Sequence, residues 1–285
     1  MKKLLLSLIV LTILSSLFTG CDTKDDEQTP PELPPYESML MDFEFFQNDQ
    51  SAELLDISNE KNTNTIVNWA FSAANVFVWN VLIGTTLVVP VASFYAAISN
   101  EAVFIGDATW QWVYEFQVFT ATYTARLTGQ IRSSDVKWEM YISREGIGAF
   151  DEFMWYEGTS ALDGNSGQWI LYHSPEVPVQ TLQIDWERTG EQVGDITYTY
   201  VRESSNGDPR QLSVNSYISY GLTEADLNAF YNIHYTTRDV EINGFLDVAI
   251  QWSTTEYNGR VMAEHFYGDT DWHCWDSGGN DAVCE

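Results

Sequence analysis

Residues 66–98 read IVNWAFSAANVFVWNVLIGTTLVVPVASFYAAI, and no charged residue lies between Lys61 and Glu101. Apolar residues in this stretch fall on every face of a helix, so a helix here must be covered all round, by lipid or by protein. Asn68, Asn75 and Asn80 argue for protein. Pro90 cannot donate a ladder hydrogen bond but suits a first helical turn. The expectation is a longer helix over Ile66–Ile83, an interruption at Gly84-Thr85-Thr86, and a short helix from Pro90 to Ile98.

Outward from this run, the period changes from helical to two. Trp110, Trp112, Tyr114, Phe116 and Val118 share one face opposite Thr109, Gln111, Glu115 and Gln117. Tyr123, Ala125, Leu127, Gly129 and Ile131 alternate with threonines, Arg126 and Gln130. Val136, Trp138, Met140 and Ile142 oppose Lys137, Glu139, Tyr141 and Ser143. Leu182, Ile184 and Trp186 repeat the pattern, as do Leu246, Val248, Ile250 and Trp252. Such alternation marks strands with one buried and one wet face. Further strands are expected near 149–158, 167–174, 195–203, 211–220, 230–237 and 259–267, and a first one over 38–46, where Met41, Phe43 and Phe45 oppose Asp42 and Glu44. Turn signals stand between them at Asp163-Gly164-Asn165, Asn206-Gly207, Asn243-Gly244 and Asn258-Gly259. Thr223–Phe230 reads as one short helix capped by Thr223.

The fold class expected is therefore mainly β with an apolar helical segment (α+β). It would be an antiparallel barrel or half-barrel meander of about a dozen strands wrapped around the buried helix, with a two-sheet sandwich as the alternative. The domain organisation is residues 1–20 as a signal, 21–35 as a tether, and 36–285 as a single β-rich domain with helices at about 66–98.

The N-terminus has the order of a secretory signal: Lys2 and Lys3, an apolar run from Leu4 to Leu14, then small and polar residues to Gly20. The apolar core is too short to span a membrane. Phe18-Thr19-Gly20-Cys21 resembles the lipobox of bacterial lipoproteins, with Phe18 where a leucine is usual. That resemblance implies that the Cys21 thiol carries a lipid and that Cys21 becomes the first mature residue. Behind it, Lys24, Asp25 and Asp26, within Asp22–Glu27, resemble the surface-export signal of Bacteroidota lipoproteins, which implies an outer-membrane protein facing the cell exterior. A plain solvated acidic tether is the alternative reading of the same residues. Pro30, Pro31, Pro34 and Pro35 favour polyproline-type extension, which over residues 22–35 gives a reach of roughly 40 Å.

Thirteen basic residues face 41 acidic ones. Removing residues 1–20 takes away two lysines and no acid, so the formal net charge goes from −28 to −30. Such a body repels phosphate backbones, and no nucleic-acid partner is expected. In an exported chain with Cys21 lipidated, Cys274 and Cys284 are left to pair.

Candidate chemistry is sparse. Asp276-Ser277-Gly278-Gly279 resembles the surroundings of a chymotrypsin-type nucleophile, with His273 and Cys274 close by. A triad converges from distant strands, however, and here every member sits in one short loop. Asp269, Asp271, Asp276 and Asp281 are hard oxygen ligands that suit Ca²⁺, although their spacing is not that of an EF-hand; a solvated acidic loop is the other reading. His173, His234, His265 and His273 show no zinc spacing, and His173 and His265 fall on expected strands. Most of the eleven tryptophans lie on apolar strand faces. Trp272 and Trp275, in a polar loop, are the candidates for glycan contact.

These features lead to a non-enzymatic, membrane-anchored extracellular binding module for a glycan or an envelope protein, with no catalytic residue and no cofactor beyond the Ca²⁺ candidate. One alternative is a carrier of lipid or another apolar ligand, by analogy with the architecture of the lipoprotein-carrier proteins LolA and LolB. Another is a glycan-active hydrolase, which needs two facing carboxylates. If the lipobox resemblance holds, mass spectrometry of the membrane-extracted chain finds a diacylglyceryl adduct on the Cys21 peptide, and Cys21→Ala abolishes it. An unmodified, uncleaved N-terminus would refute the anchor.

Overall fold

A computed structural model describes residues 29–47, 66–190, 192–202, 213–236 and 244–284. The chain divides into two compact units, Met1–Pro30 and Pro31–Glu285. Of the first, only residues 29 and 30 are described, so Cys21, Lys24, Asp25 and Asp26 lie outside the described residues. All elements below belong to the second.

The strands are β1 (Val103–Gly106), β2 (Thr109–Val118), β3 (Ala121–Ile131), β4 (Asp135–Arg144), β5 (Phe150–Ala161), β6 (Ser166–Ser174) and β7 (Val177–Thr189). They continue with β8 (Gln192–Tyr200), β9 (Tyr217–Leu222), β10 (Ala229–Thr236), β11 (Phe245–Trp252), β12 (Gly259–Met262), β13 (His273–Trp275) and β14 (Asp281–Ala282). They form one antiparallel sheet in strict sequence order. It is mainly β, as expected, and among the described residues there is no second sheet. It is not a closed barrel, because β1 and β14 each pair on one side only.

On the inner face, large aromatic rings alternate with glycine. Along one cross-strand row the partners are Trp110, Gly129, Trp138, Gly158 and Trp169, from β2 to β6. A Cβ on Gly129 would stand 2.5 Å from the Trp138 ring, and one on Gly158 would stand 2.4 Å from Trp169. Gly167 opposite Trp186, and Gly259 opposite Trp275, repeat the device. Each indole lies over the strand beside it and needs that strand to lack a side chain there. Asn258-Gly259 is therefore not a turn: Gly259 is a strand residue beneath Trp275. The loop before it runs over residues 253–258.

Two pieces of chain cover this face. The first is 36–46, expected as a strand but folded as 3₁₀ turns at Tyr36–Met39 and Glu44–Phe46. Its polar groups bond side chains rather than a ladder. The Trp169 indole N–H donates to Ser38 Oγ (3.0 Å), the Tyr198 hydroxyl to the Met39 carbonyl (2.8 Å), and the Tyr231 hydroxyl to the Asp42 carbonyl. The segment thus passes from β6 to β8 to β10, and its alternating Met39, Met41 and Phe43 are buried as it crosses them. Burial pushes the Tyr198 and Tyr231 phenols well up, so both remain donors.

The second piece is α1, one continuous helix over Val67–Ala97 with Pro90 inside it. The expected interruption at Gly84-Thr85-Thr86 is absent. A proline in a helix interior costs roughly 3 kcal/mol. Here Leu87, Phe94 and Ala97, packed into the core on both sides of Pro90, hold the helical line. Phe94 packs on Tyr156 and Trp169, and the Tyr114 hydroxyl donates to the Ser93 carbonyl at 2.6 Å. At the N-terminus no side chain of Ile66 caps the helix. Instead the Asn68 N–H donates to Asp281 Oδ1 at 2.9 Å, a carboxylate placed where the helix dipole favours negative charge. The helix meets β2 at one end of the sheet and β12, β13 and β14 at the other.

Burial of α1 is one-sided, against expectation. Trp69, Val76, Trp79, Ile83 and Leu87 face the core, whereas Phe77, Val78 and Val81 are 51%, 56% and 48% exposed. Within α1 the window Val67–Gly84 is long and apolar enough to cross a membrane by length and composition. Its buried face belongs to the sheet.

Two smaller expectations change as well. Residues 223–228 form a turn rather than a helix, with Thr223 Oγ1 accepting from the Ala225 N–H. The expected strand 259–267 ends at Met262 and passes into α2, Glu264–Tyr267, which carries His265. The Asn206-Gly207 turn lies outside the described residues.

The glycine pairing makes a test of sign. Gly129→Ala drives a methyl into Trp138 and is expected to cost about 1–3 kcal/mol, the usual price of overpacking. Gly84→Ala, in open space on the exposed side of α1, is expected to gain up to ~1 kcal/mol from helix propensity. Urea titrations of the two variants should move in opposite directions.

Candidate functional site

The sheet turns one face to the core, so functional groups can gather only on its other face, at its edges and in its loops. On β10, β11 and β12 the residues out of phase with the buried Tyr231, Ile250 and Val261 are Phe230, Gln251 and Arg260. They line a groove of about 910 Å³, with the 223–227 turn on one side and the C-terminal segment on the other. Asp226, Glu256, Asn258 and Asp276 add carboxylates and an amide.

Arg260 organises this groove. Its Nε and Nη2 donate to Gln251 Oε1 at 2.8 and 2.6 Å, and its guanidinium lies 4.4 Å from the Trp272 ring centroid. Stacking and bidentate donation together fix the planar group in one orientation. Trp272 is half-buried beneath it. Trp275, the other expected glycan contact, is only 2% exposed; its indole N–H donates to the Tyr257 carbonyl and its ring covers Gly259. The polar loop assignment fails for Trp275 because β13 turns it inward.

Cys274 and Cys284 form a disulfide with a Cα–Cα distance of 5.2 Å, and both line the groove. The loop they close is held from within by Asp276, whose Oδ1 accepts from the Gly278 and Asn280 backbone N–H groups at 2.9 and 3.0 Å. These bonds, that from Asn280 foremost, hold its carboxyl below the usual carboxylate range. The sequence at 276–279 is thus a turn. His273 is occupied elsewhere: its Nε2 meets Asp269 Oδ1 at 2.9 Å and its ring stacks on Tyr267 at 3.7 Å. This bond to His273 is the main cause that lowers the Asp269 pKa.

The four candidate calcium ligands do not converge. Asp269 serves His273 and the Asp271 N–H, Asp276 serves its own turn, and Asp281 caps α1. Among the described residues no group of three or more His, Cys, Asp or Glu could hold a metal ion. His173 lies on β6 as expected. His265 Nε2 is 3.4 Å from the Tyr235 hydroxyl, and burial lowers its pKa. His234 is stacked between Tyr217 and Phe245, with Nδ1 2.7 Å from Asp247.

Two pairs of carboxylates face one another directly, Glu139 on β4 with Glu157 on β5 and Glu187 on β7 with Asp195 on β8. Burial, and secondarily Glu187, raises the Asp195 pKa. None of these four acids lines the groove.

Sequence reasoning missed Arg260, Gln251 and Phe230. Arg260 lies on a four-residue strand whose outward side only the pairing with β11 and β13 makes visible, whereas the alternation of β11 showed Gln251 outward without showing that the three residues meet. No protein-family model, curated protein or solved structure matches the chain.

Because the disulfide closes a short loop that carries one groove wall, replacing Cys274 and Cys284 with serine is expected to cost about 2–3 kcal/mol. Chemical denaturation of oxidised and mutant protein would measure it; equal midpoints would show that the crosslink does not constrain the fold.

Proposed function

We propose that this chain is an exported lipoprotein, tied to the outer membrane through Cys21 and facing the exterior, that binds an extracellular glycan in the Arg260 groove without catalysing a reaction. The observation that carries the reading is the groove's chemistry. A guanidinium stacked on an indole, two amides and several carboxylates offer donors and acceptors to a polyhydroxylated ligand. The volume is within the range of small-ligand sites. A half-barrel, curled so that both ends of the sheet meet α1, is the arrangement we propose for the scaffold; the contacts of α1 with β2 and with β12–β14 support it.

The carrier reading gains no support from the core. Trp138, Trp169, Tyr156, Tyr198 and Leu127 are 0% exposed, so no water-sized space adjoins them. The two carboxylate pairs that face one another across strands, Glu139 with Glu157 and Glu187 with Asp195, lie outside the groove, and of the groove's own acids Asp276 is committed to its turn.

A glycan array probed with the full chain is expected to show binding that falls at least tenfold with Arg260→Ala, a loss of about 1.4 kcal/mol, and falls also with Trp272→Ala. Wild-type protein that binds no glycan, or variants that bind as well as wild type, would remove the proposal. Release of sugar from a polysaccharide panel would move the chain to the hydrolase class.

A further inference from the structure

We propose that the exposed side of α1 is a lipid-docking surface that lays the helix in the plane of the bilayer to which the chain is anchored. Phe77, Val78, Val81, Val88 and Tyr95 are each 40–60% exposed. They recur at three, four and seven residues, so they line one stripe along the helix. No charged residue occurs from 62 to 100, in a chain otherwise rich in acids.

The occupant follows from three observations. First, Tyr36, near the start of the body, packs edge-to-face on Tyr95 at 5.5 Å. Tyr36 follows Cys21 closely in sequence, so a lipid on Cys21 would hold the stripe at high local concentration near the bilayer through a short tether. This step rests on the anchoring reading above. Second, the opposite side of α1 is committed to the sheet through Trp69, Trp79 and Phe94, which leaves in-plane docking and excludes spanning. Third, residues 48–65, the segment that leads into α1, set Leu54, Leu55 and Ile57 among Asp49, Glu53, Asp56, Glu60 and Lys61, so this segment would bring five charged groups onto a charge-free stripe, whereas acyl chains bring none. With so negative a body, docking favours zwitterionic lipid and depends on apolar contact, with Tyr95 suited to the interfacial zone.

The test uses full-length lipidated chain labelled with an environment-sensitive dye at Val81→Cys, or at Thr124→Cys on the exposed face of β3 as reference, with near-UV circular dichroism confirming that both fold. On phosphatidylcholine vesicles the dye at 81 should shift to the blue, be quenched by spin-labelled lipid, and be protected from iodide; the dye at 124 should show the reverse. A chain that floats with vesicles while position 81 stays open to iodide would overturn docking and leave the anchor intact. A chain that fails to float, or floats equally well with Cys21→Ala, would instead overturn the anchor. Shielding of position 81 without vesicles would also overturn docking, in favour of a second copy if it depends on concentration and of the chain's own segment if it does not.

Discussion

Neighbouring strands stand about 4.8 Å apart, and an indole laid against a sheet reaches further than that. A tryptophan on the inner face that lies across its neighbour strand therefore needs bare backbone there. The row Trp110, Gly129, Trp138, Gly158, Trp169 meets this condition at every step. The consequence is register. A slip of one residue would turn each ring to the wet face and bring a side chain where only a glycine fits. A long meander has no helical crossover to fix its pairing, so this row supplies what the topology lacks. It also explains how so many tryptophans can be buried in one sheet without a second sheet opposite.

A face built of flat rings needs a cover, and the cover is thin. The segment 36–46 spends its backbone carbonyls on tyrosine hydroxyls from the sheet, and α1 brings Trp79, Phe94 and their neighbours down onto the rest. Continuity at Pro90 follows from the same packing: Leu87 before it and Phe94 after it are anchored in one core, so the break that proline invites locally is refused by tertiary contact. The charge-free composition of α1 was read as a demand for burial on every side. That inference treats apolar composition as a statement about protein alone. Only the face carrying Trp69, Val76, Trp79 and Ile83 is claimed by the sheet, and the other meets the surroundings.

How much was legible depends on period. Where a strand is long enough to repeat, as with Val136, Trp138, Met140 and Ile142, alternation identified both the element and its inward face. The strands β1, β13 and β14 have two to four residues, too few for any repeat. The alternation over Met39, Met41 and Phe43 was real but reported burial of an irregular chain, since period two marks an extended backbone with one covered side and not ladder pairing as such. Trp275 was misjudged for a related reason: the loop around it is polar, and its partner Gly259 sits on a strand that only tertiary structure assembles. The groove was the least legible feature, because Asp226, Gln251, Arg260 and Asp276 come from four separate segments. The disulfide was foreseen by counting cysteines.

The placement of the two surfaces bears on how they would work together. Gln251 and Arg260 project from the side of β11 and β12 opposite Ile250 and Val261, which face α1 and the core. The groove thus opens away from the layer that carries the apolar stripe. A body lying with α1 on lipid, as proposed above, would hold Arg260 and Trp272 toward the medium, with the acidic outer face of the sheet turned toward water. Charge and apolarity are segregated across one sheet, and the two proposed neighbours follow that division: acyl chains on the side of the uncharged helix, water and hydroxylated ligand on the side of the charged strands.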